Sequence, residues 1–454
     1  MGIHILIEDI CLYKTTLAVC KEKHFQSSYY NQKIVTFFNL AKMEKMMRVV
    51  ITGMGIISPV GNDLETYWQS LISGQSGVSL IQNRLSDRLN CNFAGQVLDL
   101  DTASAITPKE LRRMDRFCQF AIIAAKNAWY DSERDVTNTY KEKTGVIFGT
   151  GIGGISTWDN RLIQNYNSGA EPEMNAFTIP RIMNNAAAAH IAIQLNLKSF
   201  NITVNTACSA GANAIGMGFR EIRAGNLDCI LCGGTEAPIT PKILKAWDIL
   251  GVLSKENSPT AVKPFDRKRT GFVLAEGSAA IVLESLDSAI KSKRKIYAEI
   301  SGFGSNCDAF HLTTPEKNGQ AKAIKLALED ADINPEKIDY INAHGTATRL
   351  NDLVETAAIK DVFGDYAYRI PISSTKSVFG HAMGASSAME LVATVLSVKN
   401  DVIHPTLNYQ ECDPECDLDY VPGKARVKTI NHAISNSFGF GGSNAVLVVK
   451  KWKN

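Results

Sequence analysis

Three side chains in this 454-residue sequence have types and neighbours that suit covalent chemistry. Cys208 stands in NTACSAGANAIG (205–216), flanked by Ala207 and Ser209 and followed by Ala210 and Gly211. The preceding NITVN reads as a strand and the residues after Cys208 as a helix. The thiol therefore falls at a tight strand-to-helix turn of small residues, the geometry that exposes a nucleophile above a sheet. A helix N-terminus offers unpaired N–H groups and the positive end of the dipole, which is expected to lower the thiol pKa. The competing assignment is a small core hydrophobe, the commonest fate of a free cysteine. Two histidines shift the balance. His344 in INAHGTATRLND ends an apolar strand beside Gly345 and two threonines, and His381 in SSTKSVFGHAMGASSAMEL sits where another strand turns into a helix. Two histidines at strand ends opposite a nucleophile turn are harder to explain as packing than one.

The elements that must position these groups repeat. RVVITGMGI (48–56) resembles KIYAEISGFGS (295–305), each an apolar strand running into Gly-x-Gly. TGVIFGTG (144–151) pairs with IDYINAHGTA (338–347), ITVNTACSAGANAIG (202–216) with IPISSTKSVFGHAMGAS (370–386), and CILCGGTEA with AISNSFGFGGSNAVLVV. The period is too long for a solenoid, so the pattern indicates one duplicated α/β unit. The first half is assigned to 46–295 with the cysteine, the second to 296–454 with both histidines. Helical patterns at 116–131, 213–225 and 319–333 alternate with fully apolar strands, which belong in sheets covered on both faces. The helix after Cys208 shows no polar face until Arg220 and Glu221. It is predicted to lie buried between two sheets, giving a five-layered αβαβα architecture.

Composition narrows the function classes. Hydrophobic residues at 45% and charged residues at 21% are the balance of a globular protein with a large core. A net charge of +2 gives no global case for nucleic-acid binding. No apolar run is long enough to cross a bilayer. Ten cysteines in a chain of this size need not form disulfides, and the usage points to a reducing cytoplasm. Cys229 and Cys232 have metal-ligand spacing, but no matching second pair exists, and a buried strand accounts for them. The GTGIGG stretch lacks the full spacing of a dinucleotide fingerprint. Residues 1–45 carry no signal or transit pattern. They are read as an extension upstream of the functional start, disordered or the product of a misassigned initiation codon.

These motifs together resemble the β-ketoacyl-acyl-carrier-protein synthases of the thiolase fold, of the elongating type II kind. TACSAG matches the family's nucleophile motif, HGTATRLND and GHAMGASS its two histidine motifs, STKS its lysine motif and NSFGFGGSNA its C-terminal glycine-rich loop. The match runs from about Arg48 to Lys450. One departure is Arg349, where many members have proline, which bears on carrier binding at the mouth. The resemblance implies that Cys208 takes an acyl group as a thioester. Malonyl-carrier protein then loses carbon dioxide and its carbanion attacks that thioester. It implies neutral His344 and His381 as N–H donors to the developing enolate. Removing one such donor typically costs ~10²–10³ in rate. Backbone N–H groups of Cys208 and Phe440 form a second oxyanion hole in this scheme. Lys376, Glu390 and Asp352 take supporting places. Thr346, Thr348 and Thr313 meet the phosphopantetheine arm. Gly439 and Gly441 free Phe440 to act as a gate, and Ile152 and Trp247 line the acyl tunnel. The implied partner is acyl carrier protein, docking on Lys109, Arg112 and Arg113, read as one basic face of a short helix. The scheme requires no metal, no nucleotide and no resident cofactor, only substrates carried on phosphopantetheine.

Rival assignments are distinguishable. A degradative thiolase uses a second cysteine near the C-terminus, absent from the glycine-rich loop. A starter-type synthase replaces the second histidine with asparagine, and a chain-length factor lacks the nucleophile. The catalytic subunits of type II polyketide synthases share every motif and differ in partner. The choice between homodimer and heterodimer with a chain-length factor therefore stays open at this stage.

Overall fold

The computed structural model describes residues 46–81, 89–134, 141–168 and 174–453. The expectation for 1–45 lies outside them. The strands in chain order are β1 (Val49–Ile57), β2 (Val78–Leu80), β3 (Phe93–Gly95), β4 (Thr144–Gly149), β5 (Asn201–Val204), β6 (Cys229–Glu236) and β7 (Gly277–Ser285). They continue as β8 (Ala298–Cys307), β9 (Tyr340–Asn342), β10 (Ile372–Ser373), β11 (Val402–Ile403), β12 (Arg426–Val427), β13 (His432–Gly439) and β14 (Ser443–Lys451). Ten of them form one sheet in the order β10-β9-β13-β14-β8-β1-β7-β6-β4-β5, while β2 pairs with β3 and β11 with β12.

The short antiparallel pairing of β1 with β8 joins two five-stranded sets. Counted outward from that junction, each set runs first, fifth, fourth, second and third strand of its half. The directions also agree, two antiparallel pairings followed by two parallel ones. The Gly-x-Gly that ends the first strand of each half has a common physical cause. Helix Arg116–Asp131 packs so closely on β1 that a Cβ at Gly55 would lie 2.0 Å from the Ala124 carbonyl oxygen. Helix Lys317–Asp330 approaches β8 likewise, with Gly304 facing Ala323 O at 2.2 Å. A methyl there would force helix and sheet apart, a change typically worth 1–3 kcal/mol.

Two helices lie between the sheet sets. Helix Ala210–Arg223 follows the nucleophile turn, and helix Ser386–Asn400 is buried without interruption from Ser386 to Val398. Both touch strands of either half, and the Ala212 N–H donates to Ser387 Oγ at 2.9 Å between them. With the outer helices this gives the predicted five layers. The nucleophile helix is less uniformly buried than expected, since Met217 is exposed one turn before Arg220. Alternation along β6 sends Cys229 and Cys232 into different cores on opposite faces, so they cannot share a ligand. Among the described residues no helix is long and apolar enough to cross a membrane.

Candidate active site

β5 delivers the chain to a 3₁₀ turn, Ala207–Ser209, and the α-helix begins at Ala210 rather than at the cysteine. Ala207 adopts φ +50, a conformation costly for a residue with a Cβ, so the turn is strained next to the thiol. Ser209 Oγ donates to Thr206 O at 2.8 Å and Asn213 Nδ2 to Thr206 Oγ1 at 2.9 Å, which hold the turn in place.

The thiol itself departs from expectation. Burial pushes Cys208 up to about 12, since it belongs to an apolar cluster with Leu244, Leu253, Phe272, Leu274 and Met383. The Lys376 ammonium and the Phe440 backbone N–H, which donates to Sγ, pull in the other direction without reversing the shift. The helix terminus does not make this a resting thiolate.

His381 Nε2 lies 3.1 Å from Cys208 Sγ. On its other side, Nδ1 accepts the Met383 N–H at 3.2 Å and faces Ser386 Oγ at 2.8 Å; that hydroxyl in turn accepts the Ala382 N–H at 2.8 Å. Two donors on Nδ1 leave the ring hydrogen on Nε2. His344 is set the same way. The Lys376 ammonium, which can only donate, sits 3.3 Å from its Nδ1, 2.6 Å from its carbonyl oxygen and 2.5 Å from Glu390 Oε1. Burial first, and the Lys376 charge second, hold both histidines well below their ordinary value. Both are thereby favoured as neutral imidazoles, and the His381 N–H is turned toward the thiol. A cysteine and two histidines within 4.8 Å of one another are the one group of this kind among the described residues that could hold a metal ion. Ring hydrogens on both Nε2 atoms and a buried ammonium suit a donor site better than a ligand set.

The cavity above Cys208 takes in His344, His381, Phe440, Gly439, Trp247 and Met383, with Thr346, Thr348 and Thr313 toward its mouth. The Phe440 ring lies 5.9 Å from that of Trp247, which also packs on Phe272 at 5.7 Å. Gly441 has φ +79 with open space at its Cβ position, and its N–H donates to Leu312 O at 2.7 Å. Gly439 is needed for another reason, the close approach of Thr206 O.

Other candidates stand outside that lining. Ile152 does not line this cavity; its backbone N–H is turned onto Glu236. Asp352 lies behind the site, pushed up to about 6 by burial, beside Arg269 and accepting the Phe265 N–H at 2.8 Å. The supposed basic helix spans only Pro108–Leu111, ended by the Asp115 cap of the next helix. Lys109 lies on it and Arg112 and Arg113 on the turn that follows; all three are exposed, with the Arg113 guanidinium 4.8 Å over the Phe177 ring.

Two carboxylates escaped the sequence reading. Glu355 accepts the His344 and Gly345 N–H groups, each at 2.8 Å, and Glu236 holds the turn after His381. The available signal was an acid closing the apolar strand CILCGGTE and another one helical stretch beyond His344.

Comparison with known proteins assigns the family. Residues 46–289 match the family model for the beta-ketoacyl synthase N-terminal domain and 297–410 that for the C-terminal domain. The chain is 43% identical over 418 residues to 3-oxoacyl-[acyl-carrier-protein] synthase 2 of Synechocystis, covering 91% of this chain and all of the relative. It is 41% identical over 414 residues to the protein of that name from Staphylococcus aureus, covering 90% and 100%. Among solved structures, the ishigamide ketosynthase/chain length factor aligns with TM-score 0.86 at 36% identity, over 90% of this chain and 100% of that one. A type II polyketide ketosynthase in complex with its acyl-carrier protein aligns with TM-score 0.83 at 33% identity, over 90% and 100%. The fold is therefore the thiolase fold, and the chain belongs to the β-ketoacyl synthase family.

Proposed function

We propose that this enzyme, an acyltransferase of the ketosynthase class, elongates fatty acyl chains by decarboxylative Claisen condensation. The observation that carries the proposal is the meeting of the Cys208 sulfur with nitrogens of His344 and His381 within 4.8 Å, inside one buried cavity. In the first stage Cys208 displaces the carrier thiol from an acyl thioester, its own proton leaving with that thiol. In the second, malonyl-carrier protein enters and loses carbon dioxide. The electron pair left behind is held as an enolate whose oxygen accepts the Nε2 hydrogens of His344 and His381. Neutral donors suit this step, because they stabilise developing charge without first yielding a proton. The carbanion attacks the Cys208 thioester, the backbone N–H groups of Cys208 and Phe440 bind the oxyanion, and collapse expels the Cys208 thiolate. Lys376 and Glu390 support the histidines.

Acyl carrier protein is the donor and acceptor in this scheme. The exposed Lys109, Arg112 and Arg113 offer an acidic carrier a local positive surface on a near-neutral protein. Thr346 and Thr348, joined Oγ to Oγ at 2.8 Å, line the way in for an amide-rich arm. No resident cofactor or metal takes part. Higher identity to the 3-oxoacyl synthases than to the polyketide neighbours favours fatty acid elongation. A homodimer goes with that reading. β5 is an edge strand of the main sheet, and Ile202 on it is 40% exposed. Free thiols at every cysteine among the described residues fit a cytoplasmic location. Incubation with acyl-carrier protein, followed by mass spectrometry of peptides, is expected to find the acyl group on Cys208. Acylation persisting in Cys208→Ala overturns the assignment.

A further inference from the structure

The turn after His381 is held in an unfavourable shape. Met383 has φ +47, a region that residues with a Cβ avoid. It is from this conformation that its N–H reaches His381 Nδ1. What fixes the turn is a carboxylate from the other half of the chain. Glu236, fully buried at the end of β6, accepts the Gly384 N–H on Oε2 at 3.0 Å and the Gly151 N–H at 2.5 Å. Its Oε1 accepts the Thr150 hydroxyl at 3.0 Å and the Ile152 N–H at 3.1 Å. Four donors converging on two oxygens describe a carboxylate acting only as an acceptor. Two glycines make room for it. A Cβ at Gly151 would lie 2.7 Å from Oε2, and one at Gly384 would lie 2.4 Å from the Gly151 nitrogen. Burial raises this carboxyl to about 7 while the four hydrogen bonds oppose the shift.

We propose that Glu236 is a positioning residue: by tying the Met383–Gly384 turn to the Thr150–Ile152 loop, it keeps the Met383 N–H on His381 Nδ1 and the ring hydrogen on Nε2, facing Cys208. The inference rests on the assignment of His381 as an enolate donor. Glu355 holds the backbone of His344 in a comparable way, so each histidine turn has its own buried carboxylate. Glu236 differs in reaching across from the cysteine-bearing half.

The test uses the full chain with ¹⁵N-labelled histidine, read by long-range ¹H–¹⁵N NMR at pH 8, with His381 signals assigned by their loss in His381→Asn. Glutamine has a single acceptor oxygen and cannot take four hydrogen bonds. In Glu236→Gln the His381 nitrogens are expected to move toward averaged tautomers while those of His344 stay in place. Malonyl-thioester decarboxylation is expected to fall roughly 10–100-fold, the usual effect of removing a partner that orients a functional imidazole. Unmoved His381 signals in the folded variant, or equal movement of His344, overturn the proposal. If Glu236→Gln does not fold, Glu236→Asp, which keeps the charge and shortens the reach, carries the same readouts. Failure of both to fold makes Glu236 a structural carboxylate and overturns it too. Absence of decarboxylation in the unaltered enzyme would sink the functional assignment instead, whereas the NMR signature needs no turnover.

Discussion

A thiol held near 12 by its apolar surroundings is not ionised before substrate arrives. Its reactivity must come from donors already aimed at sulfur, the Phe440 N–H and the His381 ring, and from proton transfer to the departing carrier thiol. Alkylation of resting Cys208 by iodoacetamide is therefore expected to keep accelerating up to at least about pH 10. A plateau below pH 7 would show the helix terminus prevailing over burial. Cys208, His344 and His381 were legible in sequence because each sits in a run of small residues where a bulky core could not form. The direction of the thiol shift was not, because desolvation depends on Phe272, Leu274 and Met383, which only the tertiary fold brings near. Glu355 makes a second residue-scale case. Burial raises it from 4.5 to about 7, so the protonated form is favoured by folding. Its stabilising contribution is complete below pH 4.5 and is lost as pH rises through 7. At ~1.4 kcal/mol per pH unit this is on the order of 3 kcal/mol. Melting temperatures measured between pH 5 and 8 should decline less steeply in Glu355→Gln. Trp247, packed on both Phe440 and Phe272, should limit chain length, and Trp247→Ala is expected to extend the longest primer condensed. A lowered melting temperature with an unchanged length profile would leave it as packing alone.

At the level of elements, helix periodicity located Arg116–Asp131 well, and Gly-x-Gly marked both first strands because the outer helices press onto them. The Lys109–Arg113 segment forms less helix than its spacing suggests, for a local reason. Thr107 with Glu110 caps its start, and Asp115 starts the next helix so soon that one turn is all that fits. Lys109 stays on that short helix while Arg112 and Arg113 fall at its end and on the turn after it, still exposed. Arg112→Glu with Arg113→Glu should weaken use of carrier-bound substrates about tenfold or more and flatten their salt dependence, while sparing malonyl-CoA decarboxylation. Equal loss with both substrates would assign the arginines to structure. The β5 edge makes an independent claim. For the proposed homodimer, Ile202→Glu is expected to shift the mass in light scattering from dimer toward monomer, and an unchanged mass overturns β5 as the interface.

Across the whole molecule, duplication divides the chemistry. One half carries the nucleophile and the Glu236 clamp, and the other carries both histidines and Lys376. The repeat was readable as sequence echoes, yet the crossing contacts were not, since a carboxylate at the end of β6 gives no hint that its acceptor atoms belong to a turn near residue 384. Division of labour also bears on how the protein is made. Helix Ser386–Asn400 packs against β1, β6 and β7, and even the last of these, ending at Ser285, leaves the ribosome roughly a hundred residues before the helix begins. At about 5–20 residues per second, the inner face of the first sheet stays uncovered for on the order of 5–20 s during every round of translation. The nascent chain should need chaperone cover during that interval. Synonymous codons that slow translation between residues 290 and 385 should lower the yield of folded enzyme without altering a single amino acid.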